Sequence, residues 1–238
     1  MILDPRTLSS NFPRLEEIEK STLRLVTQAI YDFRREAVEI FRNERDWEGD
    51  IGEDITREAL DRIGVSRIPI RLFGKIDYKR ARYVFHPEYA IKQALFVDSK
   101  SEKTEGERTA TIQTAQTSLK IRHLRKNVAQ DVKGTLPKII LKDGEHYLTT
   151  TVFVKYSYKE ISPGNELMSI IISALPNGML QEVYNPTAHD TIWLAGRNAP
   201  SRGEPFRVRL SFRHLSEKSS WRVQRIFLSP AESFVWSS

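Results

Sequence analysis

Between Leu15 and Phe41 apolar side chains recur at helical spacings, at Leu15, Ile18, Leu25, Ala29, Phe33, Ala37 and Phe41, with Glu and Arg filling the other face. That period predicts one long amphipathic helix. A second, shorter helix is expected to open at Asp50, where Asp50 and Glu53 form a capping-box-like pair, and to stop near Gly64. The period then changes. Arg71–Phe85 and Ile91–Val97, rich in β-branched and aromatic residues, read as two strands joined through His86-Pro87-Glu88. Ser99–Arg108 reads as a charged loop, Thr109–Leu124 as weakly helical and Asn127–Thr135 as loop. Lys138–Leu141 and Tyr147–Tyr158 are expected to pair across Lys142-Asp143-Gly144-Glu145, which has hairpin-turn chemistry. Leu167–Leu175 is almost continuously apolar, the mark of a central strand buried on both faces. Tyr184–Gly203 reads as a long loop, followed by strands at Phe206–Arg213 and Trp221–Leu228. Helices first and strands after them predict an α/β fold, a mixed central sheet flanked by helices.

Composition narrows the chemistry. The chain has 238 residues, with no obvious internal boundary or repeat, and no apolar run long enough for a membrane span. MILDPRTLSS lacks the basic-then-apolar pattern of a signal peptide, so no membrane or secretory destination is expected. The absence of cysteine excludes disulfides, thiolate nucleophiles and cysteine-ligated zinc, and is compatible with a reducing cytoplasm. The five histidines show no metal-ligand spacing, so any metal here needs oxygen ligands. GxGxxG, P-loop and GxSxG motifs are missing, and Trp47, Trp193, Trp221 and Trp236 are too dispersed for a base-stacking platform.

A net charge of +6 points to an anionic partner, and its distribution is informative. Arg197, Arg202, Arg207, Arg209, Arg213, Lys218, Arg222 and Arg225 crowd one segment, a candidate nucleic-acid surface. In FRVRLSFR, Phe206, Val208, Leu210 and Phe212 alternate with Arg207, Arg209, Ser211 and Arg213, the period of a strand with one buried face. Arginines two apart on a strand stand roughly 7 Å apart, and each can grip guanine O6 and N7 with its fork. Such a strand also serves simply to keep an edge soluble. Lys79, Arg80 and Arg82 are candidates for following the phosphate backbone.

The acids pose a sharper question. Alternation puts Asp98 and Lys100 on one face of a strand end, with Ser99 turned away and its carbonyl oxygen left near them. If the two strands pair, Asp77 can lie opposite, and two carboxylates with one carbonyl suit the hard coordination of Mg2+. Lys100 could then orient a water or stabilise developing negative charge. Asp-x-Lys also occurs as a solvated turn with a weak surface ion pair. Glu53 is explained by its capping role, and a second role beyond the metal's direct ligands is open to it.

Several stretches in order resemble the SfiI-type family of type II restriction endonucleases, within the PD-(D/E)xK nuclease group. They are RLEEIEKSTLRLVTQAI, EDIT at Glu53–Thr56, IDYKRAR at Ile76–Arg82, LFVDSK at Leu95–Lys100, YNP at Tyr184–Pro186 and AGRNAPSRGEPFRVRLSF at Ala195–Phe212. Ile76 stands where the motif's name has proline. The resemblance implies one restriction-endonuclease-like domain over 1–238, with helices at about 14–64, catalytic strands at about 71–100 and DNA-reading strands at about 195–228. It implies a Mg2+-dependent deoxyribonuclease that cuts both strands of double-stranded DNA at a short, GC-rich interrupted palindrome. Asp77, Asp98 and Lys100 fall on the catalytic positions, with Asp77, Asp98 and the Ser99 carbonyl as metal ligands. Arg197, Arg207 and Arg209 fall in the base-reading segment, with Arg202, Lys79 and Arg80 as further DNA contacts. It further implies a homodimer or homotetramer in a prokaryotic cytoplasm, paired with a cognate DNA methyltransferase. A structure-specific repair or junction nuclease and a non-enzymatic DNA-binding repressor are the competing readings.

Overall fold

The structure, a computed structural model, describes residues 2–43, 51–64, 81–86, 89–103, 108–195, 208–228 and 233–238, with 81–86 as backbone only. Asp77, Lys79, Arg80, Arg197, Arg202, Arg207, Trp47 and the expected cap Asp50 lie outside the described residues.

The first helical stretch is two helices. Helix α1 (Phe12–Asp32) is capped by the Asn11 side chain, which accepts from the Arg14 N–H, and α2 (Arg34–Asn43) follows a break at Phe33. At the break the Arg34 guanidinium donates to the Tyr31 carbonyl at 2.6 Å and lies over the Tyr31 ring. The apolar period runs through both, so α1 buries Leu23, Val26 and Ile30 and α2 buries Ala37 and Phe41 in one cluster. Helix α3 (Ile51–Arg62) ends before Gly64, whose φ of +75° suits glycine, close to where the sequence pattern stops.

The strands, in chain order, are β1 (Ala81–His86), β2 (Ile91–Lys103), β3 (Thr109–Ile112), β4 (Lys120–Arg125), β5 (Val128–Lys133), β6 (Ile139–Lys142), β7 (Glu145–Glu160), β8 (Asn165–Leu175), β9 (Trp193–Ala195), β10 (Val208–Ser211) and β11 (Val223–Phe227). The main sheet runs β1-β2-β7-β8-β11, with β6 paired to the start of β7; β2 and β7 are parallel and the other pairs antiparallel. It is a mixed sheet, as expected. The β6–β7 turn is also as expected, with Asp143 and Gly144 both at positive φ (51° and 77°). Strand β8 lies between β7 and β11 and is buried on both faces.

One face of the sheet, through Leu95, Val97, Val152, Val154, Ile170 and Ile172, packs on α1, α2 and α3. The other, through Phe153 and Ile171, packs against two small sheets, β3-β10-β9 and the β4–β5 hairpin. These small sheets and a longer β2 overturn the irregular expectations. Ser99–Lys103 continues β2, Thr109–Leu124 holds β3, a 3-10 turn at Thr114–Gln116 and the start of β4, and Val128–Lys133 is β5. The end of β2 pairs with β7 and β3 pairs with β10, strands distant in sequence that supply backbone partners local propensity does not, while β4 and β5 pair with each other across Lys126-Asn127. The long loop expected after Tyr184 contains β9, paired to β10. Strand β10 ends at Ser211, whose hydroxyl accepts from the His214 N–H and starts helix α4 (Phe212–Lys218), so Phe212 and Arg213 are helical.

Candidate active site

Alternation along β2 puts Asp98, Lys100 and Glu102 on the face away from α3. Asp98 is buried, 4% exposed, in a small cleft with Phe96, Ala115, Gln116, Leu136 and Thr151. A carboxylate against that apolar wall is costly as a bare anion and receptive to a cation. Lys100 is half-buried and its Nζ donates to the Thr111 carbonyl at 3.3 Å.

The parallel pairing of β2 with β7 sets Lys155 level with Lys100. Lys155 is fully buried; its Nζ donates at 2.7 Å to both the Glu102 carboxylate and the Thr109 carbonyl. Thr109 and Thr111 are alternate residues of β3, the outer strand of its small sheet, so their carbonyls face the same way, toward the main sheet. On the other side of β3 runs β10, with Arg209 directly across from Thr111. Arg209 is exposed between buried Val208 and Leu210, as the alternation in FRVRLSFR predicts. Lys155 escaped the sequence reading, although a lone cation within Val152-Phe153-Val154-Lys155-Tyr156 is the signal that marks it.

Ser99 faces the helices. Its hydroxyl donates to Thr56 Oγ1 at 2.7 Å, and Thr56 shares a 2.8 Å hydrogen bond with the Tyr156 phenol, whose pKa burial pushes up. Helix α3 comes this close because residue 52 is glycine: a Cβ there would stand 2.8 Å from Ser101 Oγ and 3.0 Å from the Tyr156 ring. Glu53, half-buried, is the next residue on that helix.

The basic C-terminal cluster is divided. Arg222 is fully buried, paired at 2.6 Å with an equally buried Glu19 and set over the rings of Tyr184 and Trp221, so it belongs to the core and not to a nucleic-acid surface. Arg213 pairs with Glu217 and Lys218 with Asp190, both on the surface at 2.7 and 2.6 Å. Among the described residues, no group of three or more His, Asp or Glu is placed to hold a metal.

A sequence model of the family described as type II restriction enzyme SfiI matches residues 31–226, a span that takes in β2, β7 and β10. The chain belongs to the SfiI family of type II restriction enzymes. It is 34% identical to the type II restriction enzyme SfiI of Streptomyces fimbriatus, over 98% of this chain and 90% of that one. The crystal structure of tetrameric SfiI bound to cognate DNA is similar at a TM-score of 0.84 and 28% identity, covering 98% of this chain and 91% of that one. The restriction endonuclease BglI bound to its DNA recognition sequence shares the fold, at a TM-score of 0.76 and 18% identity over 94% of each chain. The chain is therefore a type II restriction endonuclease. Enzymes of this type generally need a divalent metal ion. The donor set fits: Asp98 offers a buried carboxylate and Ser99 a main-chain carbonyl, both hard oxygen ligands.

Proposed function

We propose that this SfiI-family chain is a Mg2+-dependent, site-specific deoxyribonuclease that acts as a homo-oligomer on double-stranded DNA and hydrolyses both strands at a short, GC-rich interrupted palindrome. In this reading the chain is one restriction-endonuclease-like domain, and a cognate methyltransferase protects the host's copies of the site. The observation that carries the proposal is a buried Asp98 beside a half-buried Lys100 on one face of β2, joined through Thr111 to the strand that bears Arg209. Asp98, the Ser99 carbonyl and Asp77 would hold the ion. When bound, a divalent ion there would offset negative charge on the scissile phosphate and acidify a water. Hydrolysis joins the water oxygen to phosphorus as one P–O ester bond breaks, with a proton ending on the departing sugar oxygen. Lys100 donates to the phosphate and steadies the charge that grows on it. Arg197, Arg207 and Arg209 read base edges, which favours guanine, while Arg202, Lys79 and Arg80 hold phosphates. Glu53 supports the site from α3. A two-fold arrangement of protomers matches a palindromic target.

Asp98→Asn tests the assignment. It should abolish Mg2+-dependent cleavage of plasmid DNA while leaving a folded protein that shifts the same DNA on a gel. Cleavage at the wild-type rate would remove Asp98 from the site.

A further inference from the structure

We propose that Lys155 is a positioning residue for cleavage, holding the base-reading sheet against the cleaving strand. The inference rests on the nuclease reading above. Lys155 Nζ joins three elements at once: it stands on β7, grips the Glu102 carboxylate on β2 and takes the Thr109 carbonyl on β3, the last two at 2.7 Å. Two residues further along β3, the Thr111 carbonyl accepts from Lys100 Nζ. The edge of β3 therefore seats on two lysines, one wholly buried and one in the proposed site.

This arrangement gives Lys155 two effects on Lys100. By pairing with Glu102 it keeps that carboxylate from competing for the Lys100 ammonium, which projects from the same face of the same strand. By fixing Thr109 it sets where Thr111 lies, and so where Lys100 rests. Because Arg209 lies across from Thr111, displacement of β10 by base contact reaches Lys100 through a single strand. A buried ammonium on a strand interior is a poor choice for stability alone, since a well-packed apolar side chain of that volume serves as well or better.

The experiment compares wild type, Lys155→Met, Glu102→Gln and Ile171→Val on a cognate duplex. It measures single-turnover cleavage in Mg2+, dissociation constants with Ca2+ in its place, and melting temperatures. Ile171, buried and directly across from Lys155 on β8, reports what a small loss of stability alone does. Lys155→Met should slow cleavage about 100-fold, the effect of a misplacement of roughly 1 Å, with the dissociation constant changed by less than about threefold. Glu102→Gln, at a side chain 34% exposed, folds even if Lys155→Met does not, and should slow cleavage about tenfold. If wild type cleaves and both variants match it, or if their rates simply follow melting temperature as Ile171→Val does, Lys155 is structural and the inference fails. A wild type that does not cleave overturns the nuclease reading itself.

Discussion

Replacing Arg222 with Met should cost about 3–5 kcal/mol of folding stability, because it strands the Glu19 carboxylate in the core. Both side chains are 0% exposed and 2.6 Å apart. Glu19 keeps a 2.8 Å bond from the Asn177 N–H, but burial already pushes its pKa up against the pull of Arg222, and the loss of the guanidinium removes that pull. The guanidinium also lies 4.3 Å from the Tyr184 ring centroid and 4.4 Å from that of Trp221, contacts that Met keeps as packing and loses as cation–π attraction. For a chain of this length the loss corresponds to a fall in melting temperature on the order of 10 °C. Urea denaturation measures it directly. The double variant Glu19→Leu with Arg222→Met should recover most of the loss, since it leaves no buried charge unpaired. A fully stable Arg222→Met that binds DNA weakly would mean that Arg222 faces nucleic acid after all.

Thr56→Val keeps the shape of the α3–β2 contact but deprives Ser99 and Tyr156 of their shared partner, at a cost of about 1–3 kcal/mol by urea denaturation; no loss would mean that the hydroxyl triad contributes nothing. The Tyr184 phenol, which donates to Glu16, is pushed by burial from 10.0 up to about 12. The folded chain thus keeps a proton that the unfolded chain gives up, so this stabilisation is complete below pH 10 and disappears as pH rises through about 12. Denaturation midpoints of Tyr184→Phe should decline less than those of wild type across that window, and parallel declines would contradict the shift. Arg209→Ala should weaken binding to the cognate site by roughly 1–3 kcal/mol relative to other DNA, measured by competition gel shift, whereas an equal loss on every sequence would assign Arg209 to phosphate.

What the sequence discloses follows from how local each cause is. Asp143-Gly144 dictates its hairpin, the apolar run of β8 dictates a central strand, and Val208, Arg209 and Leu210 alternate in and out as written. The β4–β5 hairpin does not announce itself, because it turns on Lys126-Asn127 without a glycine and most of β5 is exposed, which leaves no apolar period. Arg222 reads as a surface cation and Lys155 goes unmarked within its strand, because their partners, Glu19 and Glu102, are far away along the chain. Asp98 and Lys100 were legible as a pair from alternation alone, but the carbonyls of Thr109 and Thr111 come from a strand that the local pattern reads as helical. Pairing between distant segments decides the charged core, and only the fold brings those segments together.

The most direct measurement is digestion of unmethylated phage DNA by the purified protein with Mg2+ and with EDTA, followed by sequencing of the fragment ends. A site-specific nuclease gives discrete ends that share one palindromic sequence and appear only with the metal. Intact DNA in Mg2+, under conditions where the protein shifts that DNA on a gel, would contradict the proposal and leave Asp98 and Lys100 as structural charges.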